Sequence, residues 1–204
     1  MAKRVHFISG LTITIFIVFH LINHVYSLFG VERHIELMNQ FRLVYRNTLA
    51  ETILLLSVLV QIVSGIKLFN RSRKVAHGFW KKLQLWSGLY LAIFFVFHLG
   101  AVFLGRLVLN LDTNIFFGVA GLNTFPFNLF FIPYYGLAIV SFFGHIAAIH
   151  IQKFKRPIFG ITPNKQSSLI LVFGILLTIT ILFGLTGQFQ GIEIPSEYDV
   201  MLGK

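Results

Sequence analysis

The chain has no cysteine among its 204 residues. That excludes disulfides, thiolate metal sites, iron–sulfur clusters and covalently attached c-type haem. Charge is also scarce, with Asp, Glu, Lys and Arg making up 12% of residues, whereas a soluble domain carries about 25%. Acidic residues are the rarest charges, seven against seventeen Lys and Arg. What fills the chain is apolar: 56% of residues are hydrophobic and the mean hydropathy is +0.79.

Five apolar runs, at 5–29, 48–70, 80–105, 131–153 and 167–188, are each long enough to cross a bilayer, which takes about 20 helical residues. No soluble domain fits in the remainder. The expectation is therefore all-α: residues 1–204 form one helical membrane domain, a five-helix transmembrane bundle, with an outer tail over 189–204. Lys3 and Arg4 precede the first run as they would precede a signal peptide. The run is too long for one and lacks a small-residue cleavage pattern, so it is expected to stay as a mature helix.

The formal net charge is +10, but its distribution points to topology and not to nucleic acid. Lys3, Arg4, Lys67, Arg71, Arg73, Lys74, Lys81, Lys82, Lys153, Lys155, Arg156 and Lys165 fall on one side. Arg33, Arg42, Arg46, Arg106, Lys204 and every acidic residue fall on the other. The positive-inside rule makes the first side cytoplasmic, with the N-terminus in and the C-terminus out. The basic loops suit anionic lipid, or an acidic partner subunit.

Among the connections, His34–Arg42 reads as a short amphipathic segment whose Ile35, Leu37, Met38 and Phe41 lie in the interface. Asn47 or Thr48 reads as the N-cap of the second crossing, with Glu51 in its first turn. The loop over 106–130 is too apolar to be solvated and should lie over the outer mouth of the bundle. Pro133 suits a first helical turn, and the tail from Gln188 reads as a flexible outer strap.

The most specific feature is an internal repeat. Ser9–Leu21 and Ser87–Leu99 are identical at nine of thirteen aligned positions, at a constant offset of 78 residues. On a helix Ser9, Phe16 and His20 share a face, as do Ser87, Phe94 and His98. The chain crosses the membrane twice between the copies, so the two helices run parallel. Each histidine then lies ~22 Å from the cytoplasmic side. An ionisable group in a membrane segment marks function, and two imidazoles at one depth can take both axial positions of a haem iron. A hydrogen-bonded histidine pair or a proton relay is the alternative. Gly10 and Gly88 open room for a close helix or macrocycle edge.

His24, one turn beyond His20, is an alternative ligand. His145 falls at cytoplasmic depth level with Gln61, and the two read as a polar pair touching a quinone or a porphyrin edge. A five-coordinate haem on His145 alone is the other option. His150 reads as interfacial, and His6, His34 and His77 as surface residues.

These features resemble the cytochrome b anchor subunits of succinate dehydrogenase and fumarate reductase. The resemblance rests on Leu83-Gln84, Ser87-Gly88 and His98 in the third run, His20-Leu21 in the first, Glu51 to Gly65 in the second and His145 in the fourth. Arg4-Val5-His6, ahead of Gly10, is similar to that family's Arg-x-His opening near haem propionates and quinone, although Phe7 stands where the family has Ser. The resemblance implies an outer haem b held by His20 and His98. It also implies half an inner site at His145, with Gln61 replacing the fourth ligand, hence one haem. The implied role is electron relay between a cytoplasmic flavoprotein/iron–sulfur pair and quinone at a bacterial inner membrane, the chain itself being non-catalytic. The alternative is a non-respiratory relative, haem-binding or haem-free, that handles lipid or haem or acts as a scaffold.

Overall fold

The computed structural model describes residues 2–203. Helix α1 (Ala2–Val25) ends in a tight turn at Tyr26–Phe29 and is followed by α2 (Val31–Tyr45), α3 (Thr48–Ser72) and α4 (Phe79–Leu107). A single short turn of helix, α5 (Ile115–Val119), precedes α6 (Asn128–Lys153) and α7 (Pro163–Leu185). Among the described residues the chain is helical, with no strand beyond a two-residue bridge between Ile158 and Ile161. Five helices, α1, α3, α4, α6 and α7, are long and apolar enough to cross a membrane.

Local chemistry explains most of the boundaries. Asn47 caps α3, its side chain accepting from Leu49 N–H at 3.0 Å, and Glu51 occupies the first turn. Thr162 caps α7, and Pro163 sits where its missing N–H costs nothing. Helix α6 begins at Asn128, so Pro133 lies inside the helix and not in its first turn as expected. The segment before it, Asn123–Phe127, is already turned, and α6 starts earlier than its apolar run suggested.

Helices α1, α3, α4, α6 and α7 follow one another around a ring, each packing on the next, with α7 returning to α1. Helices α1 and α4 therefore face each other across the interior instead of packing backbone to backbone. The packing of α7 on the Tyr26–Phe29 turn that follows α1 depends on Gly184, where an added Cβ would strike Ser27 Oγ and lie 3.0 Å from Leu28 N. The best-buried apolar cluster, Leu21, Ile115, Val119, Leu122, Phe142, Ile181 and Leu185, sits at the outer end, where α5 wedges between α1, α6 and α7. The apolar outer loop does close the mouth of the bundle.

Two outer segments differ from expectation. Helix α2 packs Met38 and Phe41 on the bundle, and Ile35 meets the buried apolar cluster, so these side chains are not simply laid in the interface. It turns His34, Met38, Phe41 and Tyr45 toward α1, with Phe41 edge-on to Phe19 and Tyr45 edge-on to Phe16, ring centroids 5.4 Å apart in each pair. The tail is anchored and not loose: Tyr198 is 0% exposed, its hydroxyl donating toward Asp112 O and Asn114 Oδ1, each at 3.0 Å. A buried phenol needs such acceptors. The outer arginines have partners too, Arg42 with Asp112 at 2.8 Å, Arg106 with Glu51 at 2.6 Å and Arg33 with Glu36 at 3.0 Å. Three of the seven acidic residues, Glu36, Glu51 and Asp112, are the partners of these arginines.

Candidate functional site

The repeat builds two similar inner docking points. In the first copy Gln61, from α3, donates to Ser9 Oγ at 2.8 Å and to the His6 carbonyl. In the second, His145 from α6 bonds through Nδ1 to the Gln84 carbonyl at 2.9 Å, with Ser87 Oγ at 3.3 Å. His6 and Gln84 are themselves related by the offset of 78. Gly10 and Gly88 clear the space: a Cβ there would stand 3.1 Å from Gln61 Nε2 and 3.0 Å from His145 Cε1, respectively. Gln61 and His145 are thus not a polar pair. Each is satisfied on the serine–glycine step of the helix it packs against, so neither is drawn to the other.

At the outer level the structure brings the repeat histidines together. The His20 and His98 ring centroids are 6.3 Å apart. Each ring is stacked on the phenylalanine one turn earlier, Phe16 on His20 at 5.5 Å and Phe94 on His98 at 5.0 Å. Tyr135 stands edge-on to His98 at 6.3 Å. The rings lie between α1 and α4 inside the ring of helices.

Around His20 the cluster is larger than the sequence suggested. His24 Nε2 lies 3.1 Å from His20 Nε2, and His24 Nδ1 lies 3.4 Å from His34 Nε2, which Asn23 Nδ2 approaches at 3.1 Å. His34 is 2% exposed, which corrects its reading as a surface residue. Burial, with His20 and Arg42 nearby, lowers its pKa to about 4, so it is neutral at pH 7. Its signal was present as a helical face, His34, Met38, Phe41 and Tyr45 at spacings of four, three and four, but the segment's charge masked it.

The remaining assignments divide. His6 is not a free surface group: its Nδ1 bonds Ser64 Oγ at 2.7 Å. His77 is exposed, as expected. His150 bonds Gln166 at 2.7 Å and stacks on Phe154 near the inner helix ends. Arg4 is exposed at the same end and forms no hydrogen bond or ion pair among the described residues.

Among the described residues, no three or more His, Asp or Glu side chains are arranged to hold a metal ion directly. A six-coordinate haem takes two donors from the protein, one on each axis, because the macrocycle supplies the rest. Two imidazoles on opposite sides of one iron, each bonded at about 2 Å, have ring centroids about 6 Å apart. The separation of His20 and His98 fits that value, and the unpacked approach of α1 and α4 suits a flat group between them. A cavity of about 10 Å³ between α1 and α2, lined by His20, Asn23 and Tyr45, has room for a single water and no more.

Fold and site together define a five-helix membrane protein, by length and apolar character, with a histidine-lined interior. No family model, curated protein or solved structure matches the chain.

Proposed function

We propose that the chain is a haem-b-binding membrane anchor of the succinate/fumarate–quinone type, lying in a bacterial inner membrane with its basic face in the cytoplasm. The observation that supports it best is the opposed pair His20 and His98, brought from the two repeats to the spacing that one iron requires. His20 and His98 would hold the haem iron, one nitrogen each, with His24 as the alternative to His20. Phe16 and Phe94 fix the two rings by stacking, and both imidazoles are expected to be neutral because ligation and an apolar setting each disfavour the cation. When bound, the haem supplies one-electron transfer between a cytoplasmic flavoprotein/iron–sulfur pair and quinone; the chain binds it, orients it and tunes its potential.

The inner sites take different parts. Gln61 and His6, tied together and to Ser64 and Ser9, form a polar group at the cytoplasmic half suited to a quinone carbonyl. His145, with Nδ1 held by Gln84, keeps Nε2 free to touch a porphyrin edge. The twelve basic residues at the inner end suit an acidic partner subunit as well as anionic lipid.

The test is a reduced-minus-oxidised spectrum of the purified protein with a pyridine haemochrome count. One low-spin b-type haem per chain is expected, and colourless protein from haem-replete cells sinks the reading. Cysteines placed at Ser72 and Ser196 should label from opposite sides of the membrane; labelling from the same side would end the N-in, C-out topology. A haem-free role in lipid or haem handling, or in scaffolding, would then explain the histidines as a contact between α1 and α4.

A further inference from the structure

The connection between α6 and α7 closes in a two-residue hairpin turn. Ile158 and Ile161 exchange both backbone hydrogen bonds, at 3.2 Å and 2.9 Å, which leaves Phe159 and Gly160 as the turn itself. Both turn residues have positive φ, 47° at Phe159 and 75° at Gly160. Such turns favour Asn-Gly, because a bulky side chain in the left-handed region is strained. Phe159 is thus a poor choice for the turn, and its ring, 99% exposed, makes almost no contact within the chain that would offset the strain. Phe154, Ile158 and Ile161 beside it are exposed as well.

The cations around this hairpin lack anions. The Arg156 and Lys165 side chains form no hydrogen bond or ion pair among the described residues, and Lys155 reaches only the Ile151 carbonyl, at 3.0 Å. Every acidic residue of the chain lies in the segments of the other end, so an anion must come from outside the chain. The hairpin cannot travel far to find one. Gln166 Nε2 donates to the Ile161 carbonyl at 2.7 Å, fixing the hairpin to the first turn of α7. Phe159 stands three residues before Thr162, the cap of α7, so at most ~11 Å of chain separates them. That end of α7 is tied to α4 by Trp80, whose indole N–H donates to Asn164 Oδ1 at 2.8 Å, and tryptophan concentrates at the membrane interface.

We propose that the 158–161 hairpin is a contact site for anionic lipid of the inner leaflet. Phe159, with Ile158 and Ile161 beside it, enters the headgroup region, and Arg156 and Lys165 hold lipid phosphates. The bilayer then supplies both the burial that the strained ring lacks and the negative charge that the cations lack. An apolar pocket on an acidic soluble protein has the same complementarity, but the short tether to a membrane helix keeps the hairpin beside lipid. The inference requires that the chain span a membrane and is independent of what its interior binds.

Because the chain has no cysteine, Ile158→Cys provides a single thiol for a nitroxide label and leaves the backbone bonds of the hairpin in place. The labelled full chain is placed in nanodiscs of phosphatidylcholine, alone or mixed equally with phosphatidylglycerol. Power-saturation EPR then compares collisions of the label with oxygen and with a water-soluble nickel chelate. In the anionic discs the label should favour oxygen, as a group below the phosphates does. Phe159→Asn suits the left-handed turn, so it should keep the hairpin and lower the oxygen-to-chelate ratio by about 10-fold, the partitioning of one buried aromatic side chain. Arg156→Gln combined with Lys165→Gln should bring the ratio in anionic discs down to its value in neutral ones. A label open to the chelate in both lipids overturns the proposal and assigns the hairpin to a protein partner. A ratio indifferent to Phe159→Asn also overturns it, and a ratio equal in the two lipids removes the anionic headgroup from it. Colourless protein that gives the expected ratios would end the cytochrome reading and leave the lipid contact standing.

Discussion

The two copies of the repeat meet different neighbours at corresponding positions. In the first copy, the serine–glycine step receives a flexible amide, Gln61, and the outer histidine has a second imidazole one turn on and a third reaching in from α2. In the second, the serine–glycine step receives a ring, His145, while the outer histidine has Phe94 and Tyr135 around it and Val102 where the first copy has His24. The same helix face therefore carries one imidazole at the outer level in one copy and a cluster in the other, and the inner level shows the reverse bias. The repeat provides a frame, and the helices laid against it decide what each half can bind.

The sharpest break in this comparison is His98→Ala. His98 has no neighbouring imidazole to replace it, so complete loss of low-spin haem is expected with helix content unchanged by circular dichroism. Retention of the haem would show that the second copy is not part of the site. Gln61→His would make the inner halves alike, placing a ring against Ser9 and the His6 carbonyl as His145 is placed against Ser87 and Gln84. A gain of about one haem per chain is expected, read by haemochrome count; no gain would assign Gln61 a role of its own.

Acid should act through His34. His34 is neutral when folded, with its pKa lowered to about 4, but titrates near 6.5 when unfolded. The unfolded chain therefore binds the additional proton as pH falls from about 6.5 to about 4, and folding stability drops over that window by up to about 3 kcal/mol. Above it His34 adds no pH dependence. Thermal unfolding of His34→Gln against the native chain should show a flatter profile between those limits; parallel profiles would count against a buried neutral His34.

The smallest effect compares the glycines. A Cβ at Gly88 meets the His145 ring at 3.0 Å and 3.2 Å, and that ring is pinned to Gln84, so Gly88→Ala should destabilise by about 1–3 kcal/mol. At Gly10 the added carbon meets the end of the Gln61 side chain, which can move, and the helix gains about 1 kcal/mol from replacing glycine. Gly10→Ala should thus be near neutral in midpoint temperature. Equal losses at the two sites would mean that Gln61 is held as firmly as His145.

Much of this was legible in the sequence, and the reasons are physical. A bilayer core demands about 20 consecutive apolar residues in a helix that satisfies its own backbone, so composition alone located all five long helices to within a few residues. Identical faces at one offset force identical placement on parallel helices, which puts His20 and His98 at one level. The cap at Asn47 and the apolar closure of the outer mouth were likewise local signals. What the sequence could not decide was which side chains meet across helices. Gln61 and His145 matched in depth but were claimed by separate serine–glycine steps. His34 read as surface because its segment is charged, yet α2 packs back along α1 and buries it. Pro133 and the tail were misjudged for the same reason, since the start of α6 depends on the turned segment before it and the tail is fixed by where Asp112 and Asn114 come to lie. Apolar periodicity and length are properties of one stretch of chain, whereas a hydrogen bond between neighbouring helices depends on rotations and registers that only the packed bundle fixes.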